Sequence, residues 1–340
     1  MSDAPALRPV VVLTRPSMLP LMQALASTSH APGVASARQQ EFGLRAALSA
    51  RGIDTVEFPL IDILPPDDPL ALDRALDDLA SYALAVFVSP AAIDAALGRL
   101  SEGPGAARTV PVELPIAVLG PGSVAALARF GVSPATHRIL APVGALPAPG
   151  GENLTPENSQ VSAAIEAAGL RFDSEALLAA MSADRWLERL RGARVLLVRG
   201  NGGRELLGEA LASAGAQVDA VSAYRRAVPA PSAAQWQALK TLMHERRHAW
   251  VLTSSEGIRN LTALAAAHLD GPAQDLLRRA TTIVPHPRIA ESARKAGFDS
   301  ITFCDAGDAG ILRALLAAFD ENHDGVSGRF RSSPNTSNEA

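Results

Sequence analysis

The chain has 340 residues, enough for one large or two medium domains, with 48% hydrophobic and 19% charged residues, an ordinary globular composition. A net charge of −4 and a pI near 6.0 argue against nucleic acid or an acidic membrane surface as the main partner. The single cysteine, Cys304, excludes an intrachain disulfide and reads as a small core residue near a strand end. No apolar run approaches the ~18 residues of a membrane span, so a soluble, cytoplasmic protein is expected. Only 4% of residues are aromatic, which leaves Ala, Leu and Val to build the cores. The basic residues are nearly all Arg, with Lys only at 240 and 295.

In chain order, short apolar and β-branched runs fall at 9–16, 54–63, 84–90, 114–122 and 137–142, then at 193–201, 216–224, 249–255, 281–287 and 299–306. Helical periodicity lies between them, at 41–51, 70–81, 90–100 and 122–130, then at 203–214, 232–245, 256–269, 287–296 and 308–319. Runs without alternation, each followed by a helix, predict strands buried on both faces of a parallel, doubly wound α/β sheet.

The two halves repeat one another. "LAVFVSPAAIDAALGRL" aligns with "HAWVLTSSEGIRNLTAL", and the spacing from Val86 to Val118 equals that from Val251 to Ile283. The N-terminal "PVVVLTRP" likewise answers "ARVLLVRGN". Two stretches interrupt the pattern, 17–38 and 142–170, the second read as a loop or short helix on a linker. The polar tail 321–340 is expected to be disordered.

Several motifs suggest chemistry. "HERRH", from His244 to His248, matches the zinc-peptidase signature, in which two histidines share a helix face. Here it closes the predicted helix 232–245 and runs into a strand, so a basic helix end complementing the dipole is the simpler reading. "LGPGSVAA" satisfies G-x-G-x-x-A through Gly120, Gly122 and Ala125, but no acid follows about 20 residues on to hold a ribose. What it keeps is a helix N-terminus suited to an anion. In "VRGNGGRE", Gly200, Gly202 and Gly203 open a helix between Arg199 and Arg204. A tight turn explains the glycines; an anion cradle explains the arginines as well. Strand ends also carry Thr14, Arg15, Ser89, Thr253, Ser254 and Ser255. Singly these are ordinary helix caps, whereas together they outline a binding face at the strands' carboxyl ends. That face offers donors to an anionic ligand, with no carboxylate pair, G-x-S-x-G elbow or Cys/His dyad.

Taken together, "VLTRP", "LSARGIDTVEFPLIDI", "AVFVSPAAIDA", "AVLGPGSVAAL", "FDSEALL", "RVLLVRGNGGRELLGEALASAGAQVDAVSAYRR" and "WVLTSSEGIRNL" resemble the uroporphyrinogen-III synthase family over most of 9–319. The resemblance implies two flavodoxin-like α/β domains joined by a two-stranded linker, crossing out at "FPLIDILPP" and back at "VSAYRRAVP". It divides the chain into 8–58 plus 226–320 for one domain and 62–222 for the other. It also implies cofactor-free closure of hydroxymethylbilane, with loss of the ring A hydroxyl and inversion of ring D through a spiro intermediate. A monomer acting on a small polycarboxylate, with no nucleic acid or membrane partner, is expected.

On the family's motif positions stand Thr14, Arg15, Ser89, Gly120, Gly122, Ser123, Arg199, Gly200, Asn201, Gly202, Thr253, Ser254 and Ser255 as substrate-binding residues. Tyr224 is either the proton donor to the leaving hydroxyl or a linker tyrosine packed on a domain. The family's Ile-Gly-Pro-x-Thr is here "PHPRI", so His286 replaces the glycine and Ile289 the threonine, and His286 is a further candidate. A non-catalytic two-domain receptor for an anionic small molecule and a nucleotide-dependent transferase are the alternatives.

Overall fold

The computed structural model describes residues 8–26, 43–101, 109–146, 171–202, 205–305 and 307–327. In chain order the elements begin with β1 (Val10–Leu13), α1 (Leu19–Ala26), β2 (Asp54–Glu57), β3 (Asp62–Leu64), α2 (Pro69–Asp77) and β4 (Leu84–Phe87). Next come α3 (Pro90–Ser101), β5 (Ile116–Val118), α4 (Pro121–Ala128), β6 (Ile139–Leu140), α5 (Ser174–Ala183) and α6 (Trp186–Arg189). They are followed by β7 (Arg194–Gly200), α7 (Leu206–Ser213), β8 (Gln217–Ala227), α8 (Ala233–Glu245), β9 (His248–Val251) and α9 (Ser255–His268). The last are α10 (Gly271–Arg279), β10 (Thr281–Val284), α11 (Pro287–Lys295), β11 (Ile301–Phe303) and α12 (Asp308–Ser327).

Two sheets result, ordered β11-β10-β9-β1-β2 and β3-β8-β7-β4-β5-β6. With β3 set aside, they match strand for strand: β1 with β7, β2 with β8, and β9, β10, β11 with β4, β5, β6. Counted in chain order, the first is the doubly wound 2-1-3-4-5 and the second, without β3, is 3-2-1-4-5, with all neighbours parallel in both. The switch point, where a crevice opens at the carboxyl ends, lies between β1 and β9 in one sheet and between β7 and β4 in the other.

Both faces of the inner strands are covered, which is why β1, β4 and β5 show no polar alternation. Val10 and Val12 enter a cluster with Trp236, Trp250 and Leu261, while Val11 and Leu13 enter another with Leu44, Leu48 and Leu315. Likewise Leu84 and Val86 pack with Leu177 and Trp186, whereas Ala85 and Phe87 pack with Ile93 and Ile116. The period of two sends successive side chains to opposite faces. Each such fully buried Val, Leu or Phe contributes roughly 1.5–3 kcal/mol. Cys304 is buried in the cluster of Val11 and Leu315, just past the end of β11.

Three features depart from the sequence pattern. The run 54–63 is not one strand. It breaks into β2 and β3 on different sheets, because Pro59 has no N–H for a ladder and restricts the residue before it. β3 then pairs antiparallel with the far end of β8, Ile63 opposite Arg226. Second, the stretch after β1 crosses to the other sheet. Ser17 bridges Asp62, Leu21 is buried beside Ile61, Ile63 and Leu72, and α1 therefore packs with residues of 62–222 although it lies within 8–58. Third, the tail is not wholly irregular, since α12 continues through Ser327. Its buried residues Ile311, Leu315 and Phe319 anchor the helix, and propagation beyond them needs only one bond per residue. The rest of that tail, 328–340, and most of the insertions at 17–38 and 142–170, lie outside the described residues.

Candidate active site

The candidate residues gather at the carboxyl ends of the strands, and the tightest group belongs to β4, β7 and β8. Tyr224 lies near the end of β8 and is only 2% exposed. Its hydroxyl is 3.2 Å from Ser89 Oγ, just beyond β4. The ring rests on Gly200, the last residue of β7, where any Cβ would come within 2.6 Å of it. Here a side chain is excluded by the tyrosine rather than by the backbone. The β7–β8 register shifts between Arg199 and Gly200, which brings Gly200 opposite Tyr224. Asn201 follows; its N–H donates to the Tyr224 carbonyl at 2.9 Å and its Oδ1 accepts from Arg226 N–H at 2.8 Å. Gly202 adopts φ +68°, the left-handed turn that releases the chain toward α7. Gly203 and Arg204 lie outside the described residues.

Polarity within this group follows from the donors. Arg226 Nη2 reaches Tyr224 OH at 3.4 Å and can only donate. The buried tyrosine proton needs an acceptor, and among the described residues Ser89 Oγ stands in reach at 3.2 Å. Ser89 Oγ also caps α3 by accepting from Ala92 N–H at 3.1 Å. With its lone pairs engaged, the Ser89 hydroxyl proton is left to donate into the crevice.

Arg199 Nη2 bonds Glu205 Oε1 at 2.9 Å, while its Nη1 is buried with no hydrogen-bond partner among the described residues. An unsatisfied buried cationic donor is costly, and an anion at this point would relieve it. Gly120 is the N-cap of α4 and lies against Phe172, so close that a side chain's Cβ at this position would sit 3.0 Å from the Phe172 Cβ. Gly122 faces Pro90 at the start of α3, and Ser123 is buried in the first turn of α4.

The candidates on the other sheet form a second group. Thr14 is buried and donates to Val251 O at 2.6 Å, tying β1 to β9. Arg15 forms an ion pair with Asp308 at the start of α12. Ser254 caps α9 through Gly257 N–H at 2.9 Å, and Ser255 Oγ accepts from Ser292 Oγ at 2.8 Å. Thr253 stands half-buried between β9 and that cap. His286 caps α11, its Nδ1 accepting from Arg288 N–H at 3.0 Å, the work usually given to Ser, Asp or Asn. Ile289, in the threonine's place, is buried beneath it.

The two groups are joined by residues that no motif singles out. Arg226 Nη1 lies 3.5 Å from Glu256 Oε2 in the first turn of α9, and Asn260 Nδ2 donates to Leu60 O at 2.7 Å. The signal available in the sequence was Tyr-x-Arg on one strand: residues two apart share a face.

"HERRH" does not form a helical pair. α8 ends at Glu245, Arg246 is already extended, and His248 begins β9. His248 Nδ1 contacts Arg246 O at 2.9 Å, and burial lowers its pKa.

The fold and its crevices define a protein of two doubly wound α/β units whose strand ends meet across a shared crossing. A sequence model of the family described as uroporphyrinogen-III synthase HemD matches residues 43–147 and 159–309. The chain belongs to that family. It is 34% identical to uroporphyrinogen-III synthase of Escherichia coli (strain K12) over 134 residues, 38% of this chain and 51% of that one. It is 28% identical to the Synechococcus elongatus protein of the same name over 225 residues, 66% of this chain and 70% of that one. The chain thus spans about half the length of the first of these curated relatives. A crystal structure of uroporphyrinogen-III synthetase from Helicobacter pylori 26695 aligns over 92% of this chain and all of its own, at 12% identity and a TM-score of 0.47.

Proposed function

We propose that the chain converts hydroxymethylbilane to uroporphyrinogen III, inverting ring D with loss of water and without a cofactor, as a cytoplasmic monomer. The observation that carries this reading is the family match over 43–147 and 159–309, which takes in strands of both sheets. The buried Nη1 of Arg199, without a hydrogen-bond partner among the described residues, supports an anionic ligand, as do the helix N-termini of α4, α9 and α11 at the strand ends.

In this reading the Ser89 hydroxyl, backed by Tyr224, donates to the departing hydroxyl of ring A. Arg199 and the N–H groups opening α4 and α9 hold the carboxylates, and holding one conformer selects closure with inversion over closure without it. Thr14, Ser254, Ser255 and His286 fix the strand and helix ends that form the wall. Metal plays no part in the reading.

The test is a product assay. Purified protein is given freshly generated hydroxymethylbilane, with and without a chelator, and the oxidised porphyrin isomers are separated. Predominantly type III product in both conditions is expected. Type I alone, as without enzyme, would overturn the reading and favour the two-domain receptor.

A further inference from the structure

Arg226 is held by its backbone from two sides: β3 pairs with it through Ile63, and its N–H donates to Asn201 Oδ1 at 2.8 Å. Only its side chain is left to respond. The guanidinium spans two partners on different elements, Tyr224 OH on β8 at 3.4 Å and Glu256 Oε2 on α9 at 3.5 Å, and lies 5.9 Å from the centre of the Tyr224 ring. Its neighbour Arg225 points to the opposite face and pairs with Asp67. Both members of the Arg226–Glu256 pair are more than a third exposed, so the pair is too weak to lock the crevice and its value lies in where it sits.

We propose that Arg226 is a positioning residue: it sets the direction of the Tyr224–Ser89 hydrogen bonds and is itself aimed by Glu256 on α9, the helix that follows β9 of the other sheet. The state of the crevice is thereby coupled to the polarity of the donor. The kinetic part of this inference rests on the proposed cyclase reading; the structural part does not.

The chain has two tyrosines, which makes the coupling directly visible. The other, Tyr82, precedes β4 at the opposite end of the sheet, bonded to Asp219 at 2.9 Å and stacked under Arg194. In protein labelled with 13Cζ-tyrosine, Tyr82→Phe assigns the two resonances. Arg226→Gln and Glu256→Gln are each expected to shift the Tyr224 resonance and leave that of Tyr82 in place. In the cyclase assay both lower kcat about tenfold with KM nearly unchanged, and Arg226→Lys restores part of the loss. A Tyr224 resonance unmoved by Glu256→Gln overturns the coupling. An active wild type whose Arg226→Gln variant keeps full kcat overturns the positioning role. If the wild type makes only type I product, the cyclase reading has failed, and the resonances alone decide the coupling.

Discussion

The Tyr224 hydroxyl and Ser89 Oγ, 135 residues apart in sequence, lie 3.2 Å apart at adjoining strand ends, with the tyrosine ring laid over Gly200. Buried at 2% exposure, the tyrosine cannot meet a ligand except through the serine or through movement of the crevice. Tyr224→Phe should therefore keep the fold and lower kcat about a hundredfold, the lower end for a general acid, with KM changed little. Ser89→Ala should lose at least as much. Steady-state rates with isomer analysis check both. A Ser89→Ala enzyme at full rate would falsify the donor assignment.

Gly200 has no room for a methyl group. Gly200→Ala places a Cβ 2.6 Å from the Tyr224 ring, and overpacking of this kind costs about 1–3 kcal/mol. The double variant Gly200→Ala/Tyr224→Leu should recover part of that loss, because the two residues share one space. Urea unfolding of the single and double variants measures the non-additivity, and strictly additive losses would show that the clash is relieved elsewhere.

His286 serves as a helix cap in this structure. Replacing it by Ala should destabilise the protein by about 1 kcal/mol, while Asn or Ser should restore most of that. Thermal unfolding separates the two cases. A loss of activity in His286→Asn at unchanged stability would instead point to contact with substrate.

His248 supplies a pH dependence. Burial lowers its pKa below the ordinary 6.5, and the Arg246 carbonyl only partly offsets this. Between those two values the unfolded chain binds the proton that the folded chain refuses, so stability rises with pH. The contribution is complete above pH 6.5 and is lost as pH falls toward the lowered folded value. His248→Asn should flatten the stability profile on the acidic side of pH 6.5 and leave it nearly unchanged on the alkaline side. Parallel profiles for the two proteins would exclude the histidine as the source.

The α1 crossing is a packing device as well as a connection. Leu21 is buried in the core of the opposite sheet, so Leu21→Ala should cost about 2–5 kcal/mol despite lying outside the repeat pattern. Denaturant unfolding reports the loss. A cost near zero would mean that α1 contributes little to that core.

Local pattern in the amino-acid sequence was enough to settle the repeating unit of the architecture. Unbroken runs such as Val10–Leu13 and Leu84–Phe87 required strands covered on both faces, and equal spacings in the two halves required two like sheets. Glycines after β5 and at the end of β7 marked the sharp turns into helices, and the hydroxyls at strand ends marked their caps. These are local properties, set by side-chain period and backbone freedom.

Which partner buries each face was settled by long-range packing. Pro59 broke 54–63 locally, but packing placed its two parts on different sheets, sent α1 to the opposite core, and left α12 to continue past the last residue of its apolar stripe. It turned His286 into a cap, tied Thr14 to Val251, engaged Arg15 with Asp308, and joined Arg226 to Glu256. The reason is physical: a hydrophobic period specifies that a surface must leave water, whereas register and long-range contacts choose what covers it. Tyr224 was legible as a polar residue on a buried strand, but its hydroxyl's partner depended on a β-bulge between Arg199 and Gly200, which no periodicity announces.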